Sequence, residues 1–377
     1  MRIRDPHFAG LLDDLASTGV GRRDGHAYRA PRPCGLTCHV GWGCDHFCAY
    51  CYVPELGLGG PPRPNPAPAG VFAVAVFRNP FFEPGRYGTF LAFGSVCDPF
   101  HPAVIHQTLS YLAQAARLGN PSQLATKIRP PKSVLNALRW LREEHQLQLN
   151  LLVSLTVLRP NVLEPYAPPP EERLQLVGEL RDLGFMVDVF LRPLIPPLLN
   201  QHLEVVDAAR AAGARGVVIG GLLINRNILY RLKRAGIDVS SIRDRVQHVT
   251  DKLRSVSVRR EKLVLLRRVK EVGLTAFLTA CCANASAAGV PCTGLCWHTA
   301  KFCTNCGNRC WEKLPSVSKE LVADFIREIA RLPVKDVSWN ERRLRVRLQK
   351  HPSPLLSRVL KVRLQVRFRR RPLLLAG

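Results

Sequence analysis

Apolar runs of strand length alternate with helical segments over much of this 377-residue chain. An unbroken run of four to eight apolar residues predicts a buried strand, whereas apolar residues recurring every three or four positions predict a helix. By this criterion, strands are predicted at residues 71–77, 87–93, 122–127, 149–157, 186–191, 216–223 and 272–280. Helices are predicted between them at residues 104–118, 131–145, 171–183 and 200–212.

Buried strands separated by helices are typical of an α/β protein with a parallel sheet that helices cover. About six strand–helix units fit between residues 36 and 275, which favours a partial (β/α)6 barrel over a complete eightfold one. We therefore predict an N-terminal extension (1–35), a partial barrel (36–280), a cysteine-rich metal-binding segment (281–315) and a basic C-terminal region (316–377).

The charge of the chain is strongly positive, with 54 Lys and Arg against 29 Asp and Glu and a formal net charge of +25. Such an excess favours a polyanionic partner, either DNA or RNA, although high solubility is the alternative explanation. No secretory signal and no apolar run of membrane-spanning length is visible, so we expect a cytoplasmic protein without membrane contact. Thiols stay reduced in that compartment, and the thirteen cysteines therefore indicate metal ligands rather than disulfides.

Three cysteines stand close together in the stretch GWGCDHFCAYCYVPE, at Cys44, Cys48 and Cys51. Buried structural thiols, a zinc site and an iron–sulfur cluster are the competing explanations. The glycine-rich, polar surroundings argue against simple burial, and a zinc site needs a fourth ligand. A cluster held by three thiolates leaves one iron open, which suits chemistry rather than electron storage.

The spacing C-x3-C-x2-C followed by aromatic Tyr52 resembles the signature of the radical S-adenosylmethionine (SAM) enzymes. The resemblance implies that Cys44, Cys48 and Cys51 bind a [4Fe–4S] cluster whose fourth iron binds SAM. It implies reductive cleavage of SAM to a 5′-deoxyadenosyl radical, with a reductant protein such as ferredoxin or flavodoxin. His46 or Cys38 could otherwise supply a fourth ligand, but the resemblance assigns that position to SAM.

Four further motifs narrow the resemblance to the spore photoproduct lyase-like branch of that superfamily. They are GSVCDPFHPA (94–103), ATK (125–127), the S-x-T…EP-x-AP…RL pattern (153–177) and RPLIPPL (192–198). The resemblance implies that Tyr52 packs near the adenine, while Lys127 and Ser154 contact the carboxylate and ribose of SAM. A solvated lysine and a serine bonded to backbone are the structural alternatives.

Two acidic positions in these motifs have a structural interpretation beside a functional one. Asp98 is a candidate cofactor-site residue that could orient its loop, or it could cap the turn before Pro99. Glu164 and Arg173 are predicted to form a structural ion pair.

Cys97 is a candidate catalytic residue, because photoproduct lyases use a cysteine in this loop as a hydrogen donor. Ser95 occupies the place that we assign to that donor, and the thiol comes two residues later. This departure weakens the inference of a lyase reaction, and an inert buried cysteine is the alternative.

Seven cysteines fall within residues 281–310 and predict a second metal site. Cys281 and Cys282 are expected at the end of the last barrel strand. Cys303, Cys306 and Cys310, with Cys292 or Cys296, form the expected ligand set, for an auxiliary iron–sulfur cluster or for zinc. Cys34 and Cys38 are interpreted as ordinary thiols.

Residues 342–348 and 360–369 alternate apolar and basic residues, which predicts two strands with one cationic face. Pro352, Ser353 and Pro354 separate them, so we expect a hairpin or small sheet. The positive face could follow a phosphate backbone, or it could protect a strand edge from aggregation.

The sequence thus favours a radical SAM enzyme that acts on a nucleic acid, by lesion cleavage, methylation or sulfur insertion. A protein or peptide substrate is the first alternative. A non-catalytic metal-binding protein associated with nucleic acid is the second. No feature of the sequence indicates the oligomeric state.

Overall fold

The computed structural model describes residues 6–32, 35–294 and 307–376. Seven parallel strands form its largest sheet. In spatial order they are β1 (Leu36–Cys38), β4 (Leu91–Phe93), β5 (Ser122–Thr126), β6 (Leu149–Ser154), β7 (Met186–Leu191), β8 (Gly216–Ile219) and β11 (Thr275–Phe277). The predicted α/β partial barrel is confirmed, with seven strands rather than six because β1 pairs with β4 at one edge.

Twelve α-helices accompany the strands in the described part of the chain. They are α1 (Pro6–Ser17), α2 (Ala69–Arg78), α3 (Ile105–Leu118), α4 (Lys132–Glu143), α5 (Pro170–Asp182), α6 (Leu199–Ala211), α7 (Arg226–Arg234), α8 (Ser240–Arg243), α9 (Arg259–Glu271), α10 (Ala280–Ala288), α11 (Lys319–Ala330) and α12 (Pro354–Phe368). Two short antiparallel ladders pair β2 (Gly41–Cys44) with β3 (Gly60–Pro64) and β9 (Leu223–Ile224) with β10 (Arg254–Ser255).

The strands are apolar because both faces of the sheet are covered. All four residues of β8 are buried, and only the last residue of β6 is partly exposed. Helix α4 shows the complementary pattern, since Val134, Leu135, Leu138 and Leu141 are buried on one side while polar residues face solvent. The carboxyl ends of the parallel strands are therefore held in fixed register, which lets their loops build a site.

The strand predicted at residues 71–77 is wrong, because this segment belongs to helix α2. Phe72 to Val76 are all buried, and Phe72 stacks on Tyr111 of α3 with ring centroids 4.0 Å apart. A helix buried all round has no polar face, so an unbroken apolar run cannot distinguish it from a strand. Strand β4 is also shorter than the predicted 87–93.

The C-terminal region forms a second sheet of β12 (Val334–Trp339), β13 (Arg343–Leu348) and β14 (Arg371–Ala376). Strand β13 is antiparallel to β12 and parallel to β14. On one face of β13, Leu344, Val346 and Leu348 are buried in a hydrophobic core that also contains residues of α11 and α12. Arg343, Arg345 and Arg347 are exposed on the other face.

The prediction of a strand at 342–348 is confirmed, whereas the strand predicted at 360–369 is wrong. That segment lies in helix α12, in which Leu360, Leu364 and Phe368 are buried at four-residue spacing. Ser353 caps this helix by accepting a hydrogen bond of 3.3 Å from the Leu356 amide, and Pro354 occupies its first turn. The Pro-Ser-Pro stretch therefore starts a helix and does not form the expected hairpin turn.

Candidate functional site

A cavity of about 240 Å³ opens at the carboxyl ends of the parallel strands. Cys44, Cys48 and Cys51 all line it, together with the candidate residues Tyr52, Cys97, Asp98, Lys127 and Ser154. The structure thus brings the three cysteines and every candidate from the barrel motifs to one place. Gly94 permits this, since its φ is +88° and a Cβ atom there would lie 2.2 Å from the Ala125 carbonyl oxygen.

The thiols of the three-cysteine loop are poorly solvated. Burial raises the pKa of Cys44 to about 12, despite a hydrogen bond from the His46 amide. Burial also raises the pKa of Cys51. Thiols in such an environment ionise readily when a cation binds them, because the cation replaces the lost solvation.

Lys127 contacts the three-cysteine loop directly. Its ammonium lies 3.3 Å from Cys48 Sγ, 2.6 Å from the Tyr50 hydroxyl and 2.7 Å from Glu164 Oε1. Burial disfavours the charged form, but Glu164 and Cys48 oppose this effect, and the pKa of Lys127 lies above its ordinary value. The Lys127 side chain is therefore charged and fixed by these three contacts, and it is not freely solvated.

Asp98 connects the loop after β4 to the end of β5. Its carboxylate accepts hydrogen bonds from the Thr126 hydroxyl (2.6 Å), the Lys127 amide (2.7 Å) and the Phe100 amide (3.1 Å). The bond from the Phe100 amide caps the turn at Pro99, and the bonds from Thr126 and Lys127 join the loop to β5, so Asp98 makes the contacts of both interpretations. Tyr52 contacts the same loop, because its hydroxyl donates a bond of 2.8 Å to the Ser95 carbonyl oxygen.

Ser95 and Cys97 both face the cavity. The Cys97 thiol donates a weak bond of 3.6 Å to the Asp98 carbonyl oxygen. Burial, assisted by the Asp98 carboxylate, raises the pKa of Cys97 to about 12. Ser95 Oγ is buried without a hydrogen-bond partner among the described residues, as is His46 Nε2. Two polar atoms that line one cavity therefore have hydrogen-bonding capacity left for a ligand.

Arg231 is a site-supporting residue that the sequence did not reveal. Its guanidinium donates to the carbonyl oxygens of Ala49 (3.1 Å) and Cys51 (2.6 Å), and it pairs with Glu55 at 2.7 Å. Glu55 in turn accepts a hydrogen bond of 2.5 Å from Asn225, which caps α7. The three-cysteine loop is thus fixed to a helix about 180 residues away in sequence.

Tyr50 was also missed, although the sequence carried a signal for it. This aromatic residue stands inside the loop between the second and third cysteines, and its hydroxyl contacts Lys127, Glu164 and Thr156. Cys38 and His46, the two other possible fourth ligands of a cluster, lie in different places. Cys38 lies in β1, where its thiol donates to the Leu36 carbonyl oxygen, while His46 lines the cavity.

A second group of thiols surrounds the start of helix α10. The ligand atoms of Cys281, Cys282 and Cys292 all lie within 4.8 Å of one another, and Cys310 Sγ is 3.4 Å from the Cys292 amide nitrogen. Of the expected second ligand set, Cys292 and Cys310 are therefore close together. Cys296, Cys303 and Cys306 lie outside the described residues, as does Cys34.

None of the helices in the described ranges is both long and apolar enough to cross a membrane.

The parallel sheet and its loops have the fold of the radical SAM partial barrel. The solved structures that it resembles include a substituted spore photoproduct lyase with bound SAM and dinucleoside spore photoproduct. That likeness has a TM-score of 0.54 at 15% identity, over 68% of this chain and 79% of the other. A second structure, the lyase complexed with dinucleoside spore photoproduct, matches with a TM-score of 0.51 at 14% identity, over 68% of this chain and 79% of that one.

A sequence relative comes from a virus. The uncharacterized protein ORF301 of Acidianus two-tailed virus is 25% identical over an alignment of 207 residues that covers 49% of this chain. This chain spans 66% of the length of that viral protein. No family model matches the chain.

Proposed function

We propose that this protein is a radical SAM-type enzyme whose substrate is a nucleic acid. The observation that carries the proposal is the meeting of Cys44, Cys48 and Cys51 with Lys127 and Cys97 around one cavity, in a fold similar to spore photoproduct lyase. The relative in that comparison binds SAM and a dinucleoside, which makes the same ligand classes reasonable here.

The residues that line the cavity fit a cluster and SAM. Three thiols face it, and Ser95 Oγ and His46 Nε2 form no hydrogen bond among the described residues. When bound and reduced, a [4Fe–4S] cluster supplies the electron that cleaves SAM to methionine and a 5′-deoxyadenosyl radical. In this arrangement Cys44, Cys48 and Cys51 would hold the cluster.

The chain's own side chains would position SAM and shield the reaction. The ammonium of Lys127 provides a positive charge beside the thiols, where it can attract a carboxylate. Ser154 and Tyr52 would contact the ribose and adenine. The hydrogen bonds from Thr126 and Lys127 to the Asp98 carboxylate keep the loop that carries Ser95 and Cys97 at the cavity wall.

A nucleic-acid substrate is supported by an exposed aromatic pair near the cavity. Phe47 is 65% exposed and Tyr166 70% exposed, and their rings meet edge to face with centroids 5.7 Å apart. Phe47 also has a positive φ of 47°, an uncommon conformation for a bulky side chain. Exposed aromatic rings beside a site offer stacking surfaces for unpaired bases.

The exposed face of the C-terminal sheet gives a second reason. Arg343, Arg345 and Arg347 point to the same side of β13, because alternate residues of a strand share a face. Among the described residues, these three guanidinium groups form no ion pair with an acidic side chain. A row of exposed arginines is suited to phosphate oxygens.

Anaerobic reconstitution with iron and sulfide tests the proposal. With dithionite and SAM, the protein should form 5′-deoxyadenosine, and Cys44→Ala should abolish this product while Cys38→Ala retains it. A deuterated oligonucleotide substrate should transfer deuterium into 5′-deoxyadenosine. Absence of SAM cleavage by reconstituted protein would favour the non-catalytic alternative, whereas deuterium transfer from a peptide alone would favour the protein substrate.

A further inference from the structure

We infer that Cys281, Cys282, Cys292 and Cys310 form a structural zinc site that fastens the C-terminal region to the barrel. This site is separate from the proposed SAM site and does not depend on it. The sequence left an auxiliary iron–sulfur cluster and zinc open, with Cys303, Cys306, Cys310 and Cys292 or Cys296 as ligands. The inference keeps Cys292 and Cys310, adds Cys281 and Cys282, and chooses zinc.

The spacing of the sulfur atoms indicates a single metal ion. Cys281 Sγ and Cys292 Sγ are 3.5 Å apart, and Cys282 Sγ lies within 4.8 Å of both. Four thiolates at about 2.3 Å from one zinc ion have sulfur atoms about 3.8 Å apart in a tetrahedron. In a [4Fe–4S] cluster each thiolate binds a different iron, which holds the sulfur atoms farther apart. The observed separation therefore fits zinc.

Cys310 lies beside the three clustered thiols and would complete the ligand set by moving towards them when the ion binds. Its sulfur accepts from the Cys292 amide (3.4 Å) and from Asn308 Nδ2 (3.3 Å). Cys310 and Cys292 are 4% and 2% exposed, so water does not compete for their sulfur atoms. Buried thiol ligands of this kind are typical of structural rather than catalytic zinc.

The hydrogen bonds around the sulfur atoms are those that thiolates need. The Gly294 amide donates to Cys292 Sγ at 3.4 Å. The Thr279 hydroxyl donates to Cys282 Sγ at 3.1 Å and lies 3.0 Å from Cys281 Sγ, to which its single proton cannot be donated at the same time. Donors directed at sulfur favour its ionised form, and such second contacts orient metal ligands.

Arg369 supplies the charge that such a site requires. Its side chain is fully buried and close enough to Cys292 and Cys310 to interact electrostatically with their sulfur atoms. The Glu83 carboxylate also acts on it electrostatically, but that carboxylate pairs directly with Arg363 at 2.9 Å. The nitrogens of Arg369 donate to the carbonyl oxygens of Pro291 (2.9 Å) and Gly88 (3.3 Å). A buried guanidinium is costly without an anion. A zinc ion with four thiolates carries two negative charges, which would balance it.

The site would join two parts of the fold. Cys281 and Cys282 begin helix α10 immediately after barrel strand β11, whereas Arg369 ends helix α12 of the C-terminal region. Gln365 of α12 also donates a bond of 2.9 Å to the Thr293 carbonyl oxygen. Zinc at this junction would hold the arginine face of β13 in a fixed position relative to the barrel.

Metal analysis of full-length protein with Cys44, Cys48 and Cys51 replaced by alanine tests the inference. We expect about one zinc ion per chain and no inorganic sulfide, with X-ray absorption showing four sulfur atoms at about 2.3 Å. Iron with stoichiometric sulfide would overturn the inference, and so would folded protein without metal or a zinc shell of fewer than four sulfur atoms.

Single substitutions in the same background test the ligand set. Cys281→Ser and Cys310→Ser should each release zinc to a chromogenic chelator at least about tenfold faster, and Cys38→Ser, a buried cysteine in β1, should not. If a variant does not fold, the sulfur count of the parent protein still decides the question. Equal release rates in all variants would overturn the assignment of Cys281 and Cys310.

Discussion

Glu164 and Arg173 form a fully buried ion pair, with Oε2 and Nη1 2.7 Å apart. The other carboxylate oxygen of Glu164 lies 2.7 Å from the Lys127 ammonium, so one anion stands between two cations. The predicted structural pair is therefore also the support of a candidate site residue. Burial favours the neutral acid, but Lys127 and Arg173 lower the pKa of Glu164 to about 2.

This arrangement predicts acid sensitivity between about pH 4.5 and pH 2. Since the pKa of Glu164 is lower in the folded protein than its ordinary value of 4.5, the unfolded chain takes up the proton first as the pH falls. The stabilisation, about 3 kcal/mol, is complete above pH 4.5 and is lost progressively towards pH 2. Urea unfolding at several pH values measures it.

Glu164→Gln should remove this pH dependence and destabilise the protein at neutral pH by roughly 3–5 kcal/mol, because two buried cations lose their partner. The matched control is Glu179→Gln, whose partner Arg129 lies at 2.9 Å on the surface. That exposed pair should contribute less than about 1 kcal/mol. Equal effects of the two substitutions would show that the Glu164 network is not a special source of stability.

Arg231→Ala should loosen the three-cysteine loop, because two backbone carbonyl oxygens and Glu55 lose a charged donor. Hydrogen bonds to charged groups contribute about 1.5–3 kcal/mol, so reconstituted protein should lose iron to a chelator roughly tenfold faster. The control is Arg234→Ala on the same helix, which is exposed. Unchanged iron retention in Arg231→Ala would contradict the proposed supporting role.

The barrel and its site residues could be predicted because their signals are local. Cys44, Cys48 and Cys51 lie within eight positions, and Asp98 and Lys127 each follow a predicted strand closely in sequence. Arg231 could not be predicted, because its role depends on which helix packs beside the loop. The strand predictions at 71–77 and 360–369 were wrong for a related reason. Tertiary burial decides whether an apolar or alternating run becomes a helix or a strand.

Substitution of Arg343, Arg345 and Arg347 by Gln should weaken nucleic-acid binding and reduce its salt dependence. Each phosphate contact contributes about 0.9 to the slope of log K against log salt, so three lost contacts should reduce it by up to about 2.7. Replacement of exposed Arg210, Arg234 and Arg267 by Gln removes the same charge elsewhere and is the control. If both triple variants weaken nucleic-acid binding equally, binding depends on the overall positive charge and not on this face of β13.

Point variants test this face better than deletion of residues 341–371 does. Such a deletion removes β13 and α12, whose Leu344, Val346, Leu360 and Leu364 belong to the buried core of the C-terminal region. It also removes Arg363, which contacts buried Glu83 at 2.9 Å. Loss of binding after deletion would therefore also result from loss of structure.

Cys97→Ala should leave SAM cleavage intact but change how the substrate radical is quenched. Cys97 faces the cavity, and its raised pKa keeps the S–H bond in place at neutral pH. In deuterium oxide, the protein should incorporate solvent deuterium into product through the exchanged thiol. We expect that incorporation to fall at least about tenfold in Cys97→Ala.

Ser95→Ala is the matched control, because its hydroxyl faces the same cavity but the O–H bond is too strong to donate a hydrogen atom to a carbon radical. Mass spectrometry of the product and of 5′-deoxyadenosine separates quenching from SAM cleavage. If deuterium incorporation persists in Cys97→Ala, the thiol is a buried structural cysteine, and another donor with an exchangeable hydrogen must quench the product radical. That result would leave the cluster and SAM assignments unaffected, since neither depends on the Cys97 sulfur.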